Sequence, residues 1–137
     1  YSYRTRQPAG DGVVLAGDAF GFLDPVFSSG VFLALKSGEM VADAAHRALD
    51  GGAPVAEDFR EYGESLCGHI ETMRKIVYAF YDEGFSFGKL IKAYPEVRPR
   101  LTDCLIGDVS QEFDELFRRI GEFAMLPEPV AASEMAR

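Results

Sequence analysis

The chain has little of what marks several common function classes. Lys and Arg number 14 against 22 Asp and Glu, giving a formal net charge of -8. No basic stripe stands out, so the balance argues against a nucleic-acid binder, which needs cationic groups along a phosphate backbone. Long apolar runs are missing too. Ala19 to Lys36 is interrupted by Asp24, Gly and Pro and is too short to span a bilayer, and no signal-peptide pattern opens the chain. The two cysteines, Cys67 and Cys104, cannot make a disulfide framework; they read as small buried hydrophobes in a reducing, cytoplasmic protein. His46 and His69 are the only histidines, and Cys67 with His69 lacks further ligands at zinc-site spacing. The G-x-S-x-G elbow of a serine hydrolase is absent, as are repeats and low-complexity tracts.

What is present belongs to a globular protein. Hydrophobic residues make up 47%, with eleven Phe and six Tyr, enough for a modest core. The length of 137 residues suits one domain or a piece of something larger. The chain starts at Tyr1 and runs into a strand-like segment within about ten residues, a connection length usual inside a domain, so a fragment is expected.

The pattern predicts a mainly α chain with a short N-terminal β segment. "YSYRTRQPAGDGVVLAGDA" suggests two short strands around a turn at Pro8–Gly12. The unbroken apolar run Val13 to Ala16 suits a strand buried on both faces of a larger sheet. From Ser29 to about Leu49 the period becomes helical, with Leu33, Ser37, Met40, Ala44 and Ala48 on one face. Beside them the small residues Ala34, Gly38, Ala42 and Ala45 allow a close neighbour. Asp50-Gly51-Gly52 stops the helix.

A second helix begins near Pro54, with Glu57 and Asp58 complementing its positive end. Its apolar stripe is Phe59, Tyr62, Leu66, Ile70, Met73, Val77 and Phe80, opposite a charged face of Arg60, Glu64, Glu71 and Lys75. Gly63 and Gly68 weaken it locally and suggest a kink. Further helices are predicted at Phe87 to Ala93, Val97 to Leu105, and Ser110 to Ala124. The last has Ser110 as N-cap and a stripe of Phe113, Leu116, Phe117, Ile120 and Phe123. The segment 126–137 reads as a frayed tail. The aromatic cluster Tyr78, Phe80, Tyr81, Phe85 and Phe87 suits core packing, with a substrate cavity as the alternative.

The chemistry concentrates at residues 17–35, "GDAFGFLDPVFSSGVFLAL". A strand ending in Gly17-Asp18 places a carboxylate at the sheet's carboxyl edge, where it can accept hydrogen bonds from sugar or polyol hydroxyls. Pro25-Val26-Phe27-Ser28-Ser29-Gly30 then leads into a helix whose first N–H groups attract anions, and Gly30 leaves room for a ligand close to the backbone. Taken singly, Asp18 is an acceptable turn residue and Ser28 or Ser29 an ordinary N-cap. The ordered combination is more specific.

"GDAFGFLDPVFSSGVFLALKSGEMVADA" resembles the second flavin-contacting motif of FAD-dependent monooxygenases of the p-hydroxybenzoate hydroxylase class. Within that class it is most similar to flavin-dependent halogenases and their geranylgeranyl-reductase-like relatives. "FYDEGFSFGKLI" resembles the helical C-terminal region of halogenases that act on phenolic or pyrrolic groups, often on a carrier protein. The resemblance covers about residues 11 to 110 and implies a piece of a larger α/β FAD-binding fold. Residues 1–28 would be the β segment and flavin-contact loop, 29–125 the helical C-terminal region, and 126–137 the tail.

It further implies that Asp18 holds a ribityl hydroxyl of FAD and that Gly17 lets the backbone approach. Pro25, Ser28, Ser29, Gly30 and Val31 would face the flavin ring, with Ser29 and Gly30 also beside a chloride. The implied partners are an upstream FAD-binding domain of the same protein, a flavin reductase and a carrier protein; a homodimer is expected where that domain's interface is left uncovered. The implied function is halogenation or oxidation of an activated aromatic with O2 and reduced FAD. The alternatives are a flavin oxidoreductase without halide use and a non-catalytic helical interaction domain.

Three departures limit the resemblance. Tryptophan halogenases carry a Glu where Phe27 stands, which turns the expected substrate from free tryptophan toward a phenol or pyrrole. The Gly-rich dinucleotide fingerprint and the halogenase tryptophan motif are not in this sequence. None of the four lysines matches the tunnel lysine of the family. The chain alone is therefore expected to bind FAD poorly and to be inactive.

Overall fold

The computed structural model describes residues 2–108 and 111–128. Among them are four two-residue strands and five α-helices: β1 Tyr3–Arg4, β2 Ala9–Gly10, β3 Val13–Val14, β4 Gly21–Phe22, α1 Gly30–Asp50, α2 Arg60–Tyr81, α3 Phe87–Ala93, α4 Arg98–Leu105 and α5 Asp114–Ile120. The mainly helical character matches the sequence pattern. Contacts divide the chain into two compact units, one reaching Ile70 and the other starting at Glu71.

In the first unit, β2 and β3 form an antiparallel hairpin, Ala9 opposite Val14, about a turn in which Gly12 has φ +73. The turn is tied to the segment before α2: the Gly12 N–H donates to the Pro54 carbonyl (3.0 Å) and the Ala56 N–H to Asp11 Oδ1 (3.1 Å). β1 pairs antiparallel with β4, Tyr3 opposite Phe22. Two expectations need correction. Ala9–Gly10, inside the proposed break, is itself a strand, and the run from Val13 is not buried on both faces, because Val13 is 55% exposed. Its strand is two residues long and, among the described residues, pairs with β2 in a two-stranded sheet rather than standing inside a larger one.

Helix α1 buries Leu33, Ser37, Ala44 and Ala48, four of the five residues predicted; Met40 is half-buried. Its opposite side remains apolar and uncovered at Val31, Leu35 and Leu49. After Gly51, Gly52 takes φ +125 and ends the helix. Pro54 precedes a single 3-10 turn, Ala56–Phe59, and α2 follows directly. The Asp58 carboxylate accepts the Val55 N–H (2.9 Å), satisfying a donor at the start of that turn.

Helix α2 buries Phe59's successors Tyr62, Leu66 and Ile70 in the first unit. The Tyr62 hydroxyl donates to the Leu15 carbonyl (2.6 Å), and its ring meets Phe20 edge-on at 6.1 Å. Burial pushes the Tyr62 phenol up to about 12. Gly63 has a steric role: a Cβ there would stand 2.5 Å from Pro8 Cγ. The glycine admits the proline ring against the helix, and α2 runs unbroken from Arg60 to Tyr81. Cys67 is buried and not in a disulfide, with an Arg4 guanidinium nitrogen 3.1 Å from its sulfur.

In the second unit the core is built from Met73, Ile76, Val77 and Ala79 of α2 with Leu90, Val97, Leu101, Cys104, Phe113, Leu116, Phe117 and Ile120. Phe80, predicted for the buried stripe, is 48% exposed; past Met73 the buried face is carried by the predicted Val77 together with Ile76 and Ala79. The predicted charged face is only partly solvated there: Glu71 pairs with Arg74 (2.7 Å) with both side chains largely buried, and Lys75 lies 4.8 Å from the Phe117 ring. Burial pushes the Cys104 thiol up to about 12.

Helix α3 has the predicted bounds, and Pro95 opens a 3-10 turn before α4. Helix α5 is shorter than the Ser110–Ala124 expected, because the chain after Ile120 unwinds into turns in which Glu122 N–H reaches Arg119 O and Phe123 N–H reaches Ile120 O. Ser110 and residues 129–137 of the proposed tail lie outside the described residues. The described part of the tail is held, since Arg74 donates to the Glu128 carbonyl (2.6 Å), and just before the tail the Met125 N–H donates to Asp82 Oδ2 (3.0 Å).

The aromatic cluster does not form a core. Tyr78, Phe80 and Tyr81 are exposed and Phe85 and Phe87 half-buried, with the last two edge-on at 4.9 Å. Aromatic residues at helical spacing suggest a buried cluster, but on this stretch of α2 the buried positions are Ile76, Val77 and Ala79.

Candidate functional site

The turn Gly17–Ala19 is one turn of 3-10 helix packed on α1. Gly17 has φ +54, a left-handed conformation that disfavours any side chain, and a Cβ there would stand 3.4 Å from the Ala34 Cβ. Three hydrogen bonds hold this turn's backbone. The Gly17 N–H donates to Ser37 Oγ (2.8 Å), the Phe20 N–H to the Gly17 carbonyl (3.0 Å), and the Tyr3 hydroxyl to the Asp18 carbonyl (2.6 Å). Asp18 is exposed, and its carboxylate has no hydrogen-bond partner among the described residues.

That carboxylate borders an open groove of about 490 Å³ lined by Asp18, Phe22, Gly30, Val31 and Ala34. Three residues singled out from the sequence therefore meet: Asp18 from the turn, and Gly30 and Val31 from the first turn of α1. The N–H groups of Gly30 and Val31 precede the first i to i-4 bond of the helix, from Leu33 N–H to Ser29 O (2.9 Å), so the helix gives them no acceptor. A Cβ added at Gly30 would meet nothing within 4 Å, so the space before the helix end is open. Val31 is 73% exposed and Phe22 stacks on Tyr3 at 6.1 Å, giving the groove apolar walls beside one free carboxylate.

Other expected members lie outside the groove's lining. Pro25 is exposed and opens the 3-10 turn Pro25–Phe27. Ser28 follows with φ 56, the one non-glycine residue with positive φ among the described residues. Such a conformation costs about 1 kcal/mol or more and persists only where its surroundings impose it. Ser29 is buried and stands at the start of α1 without a side-chain capping bond. The N-cap account of Ser29 is thus corrected: its backbone is already αR, and the side chain does not reach back to the helix N–H groups.

Two contributors were not assigned to the site from sequence, Phe22 and Ala34. The helical spacing places Ser37 on the buried face of α1, but its bond to Gly17 has no sequence signal beyond a serine on an apolar stripe. Nearby in this unit, His69 is half-buried and its Nδ1 has no hydrogen-bond partner among the described residues. Burial, and to a lesser extent Lys36, hold its pKa below the usual value. Among the described residues no three His, Cys, Asp or Glu side chains come together to hold a metal ion.

No family model matches the chain, but several curated proteins do. A tryptophan 2-halogenase from Chondromyces crocatus is 37% identical over 82 residues, 60% of this chain and 16% of that protein. A chlorinase of 1H-pyrrole-2-carbonyl peptidyl-carrier protein from Pseudomonas fluorescens is 30% identical over 109 residues, 80% of this chain and 24% of its own length. A flavin-dependent halogenase from Armillaria mellea is 42% identical over 117 residues, 85% of this chain and 20% of that protein. The chain thus spans about a quarter or less of these relatives. The similarity read from the motif is one to halogenases, which are enzymes, and it extends well beyond the motif itself.

Proposed function

We propose that the chain is the C-terminal part of an FAD-dependent halogenase and that the groove at Asp18 receives the flavin. One observation carries this: Asp18, Gly30 and Val31 border a single groove, although eleven residues, β4 among them, separate Asp18 from Gly30 in the sequence. The residues fit the cofactor chemically. An unpaired carboxylate suits the hydroxyls of a ribityl chain, apolar walls suit a ring, and free helix N–H groups suit the electron-rich edge of a reduced ring or a halide. Gly17, Ser28 and Pro25 shape the backbone around this arrangement, and Ser29 with Gly30 would stand beside the chloride.

When bound and reduced, FAD would supply the O2-activating chemistry and chloride the halogen. This chain's own part is to accept hydrogen bonds at the Asp18 carboxylate and to offer the Gly30 and Val31 N–H groups to negative charge. Residues 1–28 would contribute the β segment and flavin loop, and 29–125 the helical region. The rest of the flavin site would come from an upstream FAD-binding domain, and the electrons from a flavin reductase in the cytoplasm.

The substrate proposed is an activated pyrrole or phenol on a carrier protein. Phe27 in place of a carboxylate supports this over free tryptophan, and one relative is named for carrier-bound pyrrole; the tryptophan 2-halogenase relative makes tryptophan the competitor to test. The test is to express the longest reading frame containing the chain, record its visible spectrum with FAD, and supply flavin reductase, O2 and chloride with pyrrolyl-carrier protein or tryptophan. Flavin absorbance and a chlorinated pyrrole are expected. A protein without flavin absorbance in excess FAD contradicts the proposal, and oxidation without halogen incorporation points to a flavin oxidoreductase that uses no halide.

A further inference from the structure

Ser37 is the least exposed polar residue among the described residues of the first unit, at 1%, and both hydrogen-bonding roles of its hydroxyl are used. It donates to the Ala34 carbonyl (3.0 Å), a local bond within α1, and this directs a lone pair toward the Gly17 N–H, which donates to it at 2.8 Å. The hydroxyl therefore cannot rotate without losing a partner. Gly17 begins the turn whose next residue carries the groove's only carboxylate among its lining residues. With the Gly17 carbonyl bonded to Phe20 and the Asp18 carbonyl to Tyr3, the backbone of Gly17-Asp18 is held on three sides and the Asp18 side chain is left for a ligand.

We propose that Ser37 is a positioning residue for the groove: its buried hydroxyl ties the Gly17-Asp18 backbone to α1 and so fixes where the Asp18 carboxylate stands relative to Gly30 and Val31. Carboxylate and helix end then act on one ligand at a set separation. This rests on the flavin reading of the groove. A polyhydroxylated ligand such as the ribityl part of FAD depends on that separation, whereas a flavin ring without the chain does not.

The test compares wild type, Ser37→Ala, Ser37→Thr, Ser37→Cys and Asp18→Ala in the full reading frame that contains the chain, titrated with FAD and with lumiflavin, which lacks the ribityl group. Leu101→Val, buried in the second unit, serves as a variant that loses stability without touching the groove. Ser37→Ala is expected to weaken FAD binding about fivefold to tenfold, the scale of one hydrogen bond, to leave lumiflavin unchanged, and to speed hydrogen exchange at the Gly17 amide. Thr, which keeps the hydroxyl, should restore FAD affinity; should its extra methyl prevent folding, Cys, a weak acceptor, should fall between Ser and Ala. Leu101→Val should leave both affinities unchanged. Equal loss of FAD and lumiflavin in Ser37→Ala would mean a structural role alone and overturn the proposal. Unchanged FAD affinity in Ser37→Ala, with Asp18→Ala weakened, would overturn it while sparing the flavin reading; unchanged affinity in both variants would overturn both.

Discussion

Two glycines of one helix should respond to alanine with opposite signs. In helix α2, a Cβ at position 63 would lie 2.5 Å from Pro8 Cγ and 3.1 Å from Pro8 Cβ. A proline ring cannot swing aside as a long side chain can, and Pro8 is also held through its carbonyl by the Leu15 N–H (2.9 Å). Relieving such an overlap moves backbone and costs about 3 kcal/mol, offset by about 1 kcal/mol from replacing glycine inside a helix. Gly63→Ala should therefore destabilise by about 2 kcal/mol, which in a chain of this size lowers Tm by about 8 °C. A Cβ at Gly68 would meet nothing within 4 Å, so Gly68→Ala should show only the helix gain of about 1 kcal/mol, raising Tm by about 4 °C. Thermal unfolding followed by circular dichroism reads both. Equal stabilisation by both substitutions would refute the packing of Pro8 on the helix and restore the view of Gly63 as a mere weak point.

Other consequences follow from buried titratable groups. The Tyr62 phenol is pushed up to about 12, above its unfolded value of about 10, so its contribution is complete below pH 10 and is lost as pH rises toward 12. Tyr62→Phe should remove that alkaline slope and cost about 1 kcal/mol at neutral pH, since the Leu15 carbonyl loses its donor. His69 has the opposite sign: its folded pKa lies below the unfolded value of about 6.5, so stability present above pH 6.5 declines as the pH falls below it. Its imidazole resonances should titrate with a midpoint below 6.5, and a midpoint at or above 6.5 would contradict the burial described.

The sequence made the helices legible because their apolar residues repeat at three and four over long stretches; Leu33, Ser37, Ala44 and Ala48 on α1 needed no structure to be grouped. It misplaced what depends on neighbours far along the chain. Val13 looks like a buried strand residue from its apolar run, yet exposure depends on whether a second layer covers it. Phe80 continues the spacing of α2, yet there the buried face is carried by Ile76, Val77 and Ala79. The site was legible in part, since a carboxylate after an apolar strand and a glycine at a helix start are local signals. The groove's Phe22 wall and the Ser37 to Gly17 bond, which joins residues twenty apart, have no local pattern to announce them.

The most direct test of the central claim is the FAD affinity of the full reading frame containing the chain, compared between wild type and Asp18→Ala by absorbance or fluorescence titration. A charged acceptor's hydrogen bonds contribute about 1.5 to 3 kcal/mol, so Asp18→Ala should weaken FAD binding by about tenfold to a hundredfold with Tm of the flavin-free protein little changed. Equal FAD affinity in the two proteins would contradict the assignment of the groove to the flavin.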